Sequence, residues 1–175
     1  MKLPFDVQEA TRSIVRVMHS QESWGCGFVA AGRYVITAAH CLPRIPVDHF
    51  DEVQATIRSW DGNDETNLVV IYCDPISDIA VLNNETLSGG YLPQEWIEAF
   101  DRIVARTGSA RIDLSFPVET PLRFYIRTHK GAWLTGATAF LSTLGSIFNA
   151  LVDEGKQIPE GTSGSPVFNG CSSPF

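Results

Sequence analysis

Short runs of alternating apolar and polar residues fill the first half of this chain. Their two-residue period is that of strands that bury one face. Val53, Ala55 and Ile57 share one side of the run from Val53 to Trp60. Ser13 to His19 and Leu68 to Cys73 are rich in β-branched residues, and Asp78 to Leu82 forms another short apolar run after a break at Pro75. Phe28-Val29-Ala30 and Tyr34-Val35-Ile36-Thr37 flank Ala31-Gly32-Arg33, which predicts a tight hairpin with Gly at its turn. Asp61-Gly62-Asn63 marks a further turn. Many short strands between regular turns predict a β-barrel or sandwich.

Three segments break this period. Asp6-Val7-Gln8-Glu9 places a capping residue three positions before a Glu, which predicts a short opening helix. Asn83 to Leu92 is polar and contains glycines, and reads as a linker. From Pro93 to Val104, residues Trp96, Ile97, Phe100, Ile103 and Val104 fall on one helical face, and Pro93 suits helix initiation. That helix is expected to cover the junction of two barrels, with partner binding as its alternative role. Beyond it, Arg123 to Thr128 and Ala132 to Phe140 predict a strand pair around Lys130-Gly131. Phe140 to Asp153 is ambiguous between strand and helix, and Val167-Phe168-Asn169 predicts a short strand.

A chain of 175 residues suits one compact unit or two small ones sharing an interface. The apolar content of 44% and charged content of 19% describe a folded protein rather than a disordered one. A net charge of −7 argues against a nucleic-acid partner, because phosphate binding needs clustered Lys and Arg. No uncharged apolar stretch is long enough to span a bilayer, so no membrane partner is expected. Met1-Lys2-Leu3-Pro4-Phe5-Asp6 lacks the apolar core of a signal peptide, so no export signal is expected in the chain as written. The four cysteines, Cys26, Cys41, Cys73 and Cys171, lie far apart with no metal-ligand spacing. No metal and no cofactor are expected.

Three polar residues carry candidate chemistry. Ser163 sits in Gly161-Thr162-Ser163-Gly164-Ser165-Pro166, where flanking glycines permit unusual backbone angles and remove bulk. Backbone N–H groups of Gly161 and Ser163 in such a turn can converge on a developing oxyanion. Read alone, the same residues also describe an ordinary surface turn. His40 ends the apolar run Tyr34 to Ala39, where a rigid strand hands a polar group to a cleft. Asp78 opens a buried run and needs a hydrogen-bonding partner, which a histidine N–H would provide. Asp74 competes for that role, but Pro75 after it suits a turn. His19, His49 and His129 lack such a setting and are expected on the surface.

Thr37-Ala38-Ala39-His40-Cys41, Asp78-Ile79-Ala80-Val81-Leu82 and the Ser163 turn, in that order, resemble the chymotrypsin-like (trypsin-like) serine protease family. The resemblance implies an all-β fold of two antiparallel Greek-key β-barrels with a short linker helix. It implies Ser163 as nucleophile, His40 as general base and then acid, and Asp78 as the group that orients His40. Gly161 and Ser163 would form the oxyanion hole. Gly25-Cys26-Gly27 is similar to the family position whose cysteine pairs with the one after the histidine, which implies a Cys26–Cys41 disulfide. Such a bridge would close a loop of about 16 residues, a stabilisation of about 3 kcal/mol in the chain-entropy model. The implied organisation is an arm at 1–12, a first barrel at 13–83, a linker and helix at 84–106, and a second barrel at 107–175.

The chain departs from the family pattern in two places. Thr162 stands where digestive members carry the aspartate that binds a new N-terminus, so no zymogen-type activation is expected. Only twelve residues follow Ser163, so the second barrel is expected to be incomplete at its C-terminus. Gln157, Ile158, Pro159 and Glu160 fall where the family lines its specificity pocket, and none supplies an Asp for Arg or Lys selectivity.

Other serine hydrolases fit less well. An α/β-hydrolase needs G-x-S-x-G and a histidine after the serine, and no histidine follows Ser163. Two functions from different classes remain. The first is a serine endopeptidase acting on a protein or peptide substrate through an acyl-enzyme. The alternative is a truncated, non-catalytic protease-like domain that binds peptides or proteins.

Overall fold

The computed structural model describes residues 6–19, 22–30, 33–43, 53–85, 92–107, 123–141, 148–153 and 157–169. Helix α1 (Val7–Arg12) opens the chain, and the Asp6 side chain caps it by accepting from the N–H groups of Gln8 and Glu9. Six strands follow: β1 (Ile14–His19), β2 (Glu22–Ala30), β3 (Tyr34–Thr37), β4 (Gln54–Ser59), β5 (Glu65–Asp74) and β6 (Ile79–Asn83). They close into an antiparallel barrel in the order β1-β2-β3-β6-β5-β4. Period-two burial drives the closure. Ala55, Ile57 and Ser59 of β4 are buried while Gln54 is exposed, and Val15, Val17, Val35, Leu68, Val70 and Leu82 fill the interior.

Helix α2 (Gln94–Arg106) packs on this first barrel. Phe100 and Ile103 join the barrel's core cluster. The Thr66 hydroxyl of β5 donates to the Trp96 carbonyl at 2.8 Å. Arg102 and Arg106 pair with the buried Asp64, at 2.9 and 2.6 Å, and Arg33 pairs with Asp101 at 3.1 Å. The helix was expected to cover a junction of two barrels; among the described residues its packing is on the first barrel. Its apolar stripe finds its complement on β5, and the charges of Asp64 and Arg33 fix the docking.

The second half forms an open sheet of four strands, β10-β7-β8-β9, made of β7 (Arg123–Arg127), β8 (Trp133–Leu141), β9 (Phe148–Val152) and β10 (Val167–Asn169). Two barrels were expected, the second incomplete at its C-terminus. Among the described residues there is one closed barrel, and the second unit is this sheet. Within the ambiguous segment from Phe140 to Asp153, the described residues Phe140, Leu141 and Phe148–Val152 are strand, and β9 pairs with β8 across a bulge at Thr138/Phe140. β10 pairs with β7 through Val167↔Ile126 and Phe168↔Tyr125.

An aromatic–guanidinium stack joins barrel and sheet. Arg16 of β1 and Arg127 of β7 lie over the Trp60 ring, at 4.7 and 4.9 Å from its centroid. Arg127 also lies over Trp133 at 5.3 Å, and Trp133 meets Phe168 edge-on at 5.6 Å.

Candidate active site

The β5–β6 hairpin delivers Asp78. The Asp74 carboxylate accepts from the N–H groups of Ile76 and Ser77, at 3.0 and 3.2 Å, which closes the turn and gives Asp74 the turn role expected of it. Asp78 ends that turn with φ 55, a left-handed conformation that Asp adopts more readily than most residues.

His40 reaches Asp78 from the neighbouring strand. β3 pairs with β6 through Thr37↔Ala80, and a short 3-10 turn over Ala39–Cys41 then turns the chain back. The Ala39 N–H donates to the Asp78 carbonyl at 3.2 Å. The His40 backbone N–H donates to Asp78 Oδ1 at 3.0 Å, and His40 Nδ1 bonds to Asp78 Oδ2 at 2.7 Å. A carboxylate only accepts, so Nδ1 carries the proton and Nε2 is the basic nitrogen.

Ser163 comes from the other half of the molecule. Its turn is tied to the first barrel by backbone bonding: the Cys26 N–H donates to the Ser163 carbonyl at 2.7 Å. Gly164, with φ 79, makes the approach possible. A Cβ there would overlap the Cys26 carbonyl oxygen and lie 2.7 Å from Thr37 Oγ1. Gly25 serves the same contact from the opposite side, since a Cβ there would overlap Cys41 Sγ and lie 3.1 Å from the Ser163 carbonyl oxygen. Ser165 donates its hydroxyl to the Arg127 carbonyl at 2.8 Å, which anchors the end of the turn to β7.

Trp24, His40, His129, Lys130, Pro159, Glu160, Gly161 and Ser163 line one cleft of about 580 Å³. His40 and Ser163 therefore face the same space, although no hydrogen bond joins the Ser163 hydroxyl to the imidazole. Pro159 and Glu160, two of the four residues expected near a specificity pocket, line the cleft. Gln157 and Ile158 are exposed and do not. Among the described residues, the N–H groups of Gly161 and Ser163 donate to no protein acceptor. The Thr162 N–H closes the turn onto the Pro159 carbonyl at 3.3 Å, and the Thr162 side chain is buried with its hydroxyl unpartnered.

Two expectations are overturned at this site. Cys26 and Cys41 are free, buried thiols and form no disulfide. Each thiol is spent on the Ser163 turn instead: Cys26 Sγ donates to the Gly161 carbonyl and Cys41 Sγ to the Ser163 carbonyl, both at 3.6 Å. Burial pushes both thiols up, Cys41 to about 11, so they stay protonated donors. Cys73 is also free, and Cys171 lies outside the described residues. The second correction is His129, expected on the surface. It is half-buried, lines the cleft and packs on Gly161. The Lys130-Gly131 turn signal beside it was the available clue, but only the fold brings that turn to the serine. His49 lies outside the described residues, as does the side chain of His19.

No protein-family model and no curated protein matches this sequence. The solved structure of Deg5 does match in three dimensions. It has a TM-score of 0.60 and 18% sequence identity, over 93% of this chain and 77% of that one. The chain has the chymotrypsin-like fold anticipated from its three short segments.

Proposed function

We propose that this chain is a serine endopeptidase with Ser163 as nucleophile, His40 as general base and acid, and Asp78 as the group that orients His40. The observation that carries this reading is the His40 Nδ1–Asp78 Oδ2 bond of 2.7 Å, which leaves Nε2 basic in the cleft that Ser163 also lines. The units at 13–83 and 107–175 then divide the chemistry, with the base and its partner on one and the nucleophile on the other.

In this mechanism the Ser163 hydroxyl attacks a peptide carbonyl while His40 Nε2 takes its proton. The C–O bond forms and the carbonyl oxygen becomes an oxyanion. The N–H groups of Gly161 and Ser163 receive that charge. The imidazolium, held by Asp78, gives its proton to the leaving amine as the C–N bond breaks. Water then repeats the sequence on the acyl-enzyme and frees Ser163. Unliganded sites commonly lack the nucleophile–base hydrogen bond, which tightens when substrate excludes water. Protein or peptide is the substrate class this fold and cleft fit. The deciding experiment is fluorophosphonate labelling beside the Ser163→Ala variant. Labelling that requires Ser163 supports the reading, and its absence in a folded chain overturns it.

A second reading, a non-catalytic domain that binds peptides or proteins, draws on one observation. The Ser163 hydroxyl is not bonded to His40, so the cleft also suits an extended chain held without turnover. The same labelling experiment separates the two.

A further inference from the structure

We propose that His129 is a positioning residue: its ring fixes the conformation of Gly161, and with it the direction of the Gly161 N–H. This rests on the reading of Gly161 as half of an oxyanion hole.

The β7–β8 turn is built to hold this ring in place. Thr128 is 1% exposed. Its N–H donates to the Ala132 carbonyl and its carbonyl accepts from the Gly131 N–H, both at 2.8 Å. Its hydroxyl accepts from the Ala132 N–H at 3.0 Å. Gly131, with φ 86, completes the reversal. His129 thus projects from a closed, hydrogen-bonded turn.

The ring stands in the space where a Gly161 side chain would lie. A Cβ on Gly161 would lie 3.2 Å from His129 Cγ and 3.3 Å from Nδ1, so the imidazole covers the face of Gly161 that a side chain would occupy. Gly161 holds φ 80, a region that glycine leaves easily because nothing in its own structure confines it. The clamp therefore has to come from outside. The Cys26 thiol holds the Gly161 carbonyl at 3.6 Å, the Thr162 N–H holds the turn to Pro159 at 3.3 Å, and the ring closes the remaining side. The Gly161 N–H is the group left unbonded. An oxyanion donor stabilises a transition state only if it is already aimed, which gives the clamp its catalytic consequence.

His129 Nδ1 is buried and has no hydrogen-bond partner. The ring therefore acts on Gly161 by shape and not through a bond at Nδ1. Phenylalanine should replace it and alanine should not.

The test compares wild type, His129→Ala and His129→Phe by ¹⁵N relaxation dispersion of the Gly161 amide and by peptide hydrolysis. Alanine should introduce exchange at Gly161 and lower kcat about tenfold to a hundredfold, with KM within about threefold. Phenylalanine should restore both. A Gly161 amide in His129→Ala that is indistinguishable from wild type overturns the proposal. So does a His129→Phe variant that folds yet leaves Gly161 in exchange. If wild type shows no Ser163-dependent hydrolysis while Gly161 responds as described, the protease reading fails and the positioning role stands. Should His129→Ala not fold, His129→Asn is read by the same criteria.

Discussion

Asp78 holds His40 at two points. Oδ1 accepts the His40 backbone N–H at 3.0 Å and Oδ2 bonds Nδ1 at 2.7 Å. The first contact fixes where the residue starts and the second fixes how its ring is turned, although both side chains are about half exposed. The left-handed φ of 55 at Asp78 is the backbone condition for this grip.

Asp78→Asn tests the grip without altering the backbone, because Asn also tolerates a left-handed φ. Its amide nitrogen would present a donor to Nδ1 and favour the wrong imidazole tautomer. The expected result is a loss of about 10⁴ in kcat with an unfolding midpoint close to wild type. Steady-state kinetics with thermal denaturation measure both. A variant that keeps a tenth of the activity would remove Asp78 from the mechanism.

Gly164→Ala tests the seam between barrel and Ser163 turn. The new Cβ would overlap the Cys26 carbonyl oxygen, which is backbone and cannot swing aside, and the φ of 79 adds strain. Overpacking and left-handed strain together predict a loss of about 3 kcal/mol or more. Urea titration followed by fluorescence reads it. A loss below about 1 kcal/mol would mean the turn withdraws from the barrel without penalty.

The sequence made the first barrel readable and the second unit only partly so, for physical reasons. Strands such as β4 bury one face and write that face into Ala55 and Ile57. Asp6 and Pro93 announce the two helix starts by local chemistry. His40, Asp78 and Ser163 stand out because each lies in a short segment of unusual composition. His129 does not, since its role depends on Gly161 being 32 positions further along the chain and beside it in space. The thiols misled for a related reason. Cys26 and Cys41 are correctly placed near one seam, yet spacing cannot reveal that two carbonyls of the Ser163 turn are there to accept from them.

The raised thiol of Cys41 links stability to alkaline pH. Its folded value of about 11 lies above the ordinary 9.0 because burial disfavours the thiolate. Between those values the unfolded chain has lost a proton that the folded chain keeps, so rising pH favours unfolding. The contribution is complete below pH 9 and is lost as pH rises toward 11. Urea midpoints should therefore fall over this interval, and fall less steeply in Cys41→Ala. Thiol-specific reagents should label Cys41 in the native protein far more slowly than in urea. Equal slopes in both proteins, or fast native labelling, would contradict a buried, protonated donor.

Trp60 tests whether barrel and sheet are joined by the stack. Arg16 and Arg127 share its ring, and Arg127 carries the contact on to Trp133. Neither guanidinium is balanced by a carboxylate among the described residues, so the indole faces are what offset their partial desolvation. Trp60→Leu keeps an apolar side chain and removes the ring quadrupole under both cations. A loss of about 1–2 kcal/mol is expected, the sum of two such interactions at partly exposed sites. The Arg127→Met change should cost less once Trp60 is already Leu, because the contact it breaks is partly gone. A double-mutant cycle in urea measures that coupling. Additive losses would mean that Arg127 lies beside Trp60 without holding the two halves together through it.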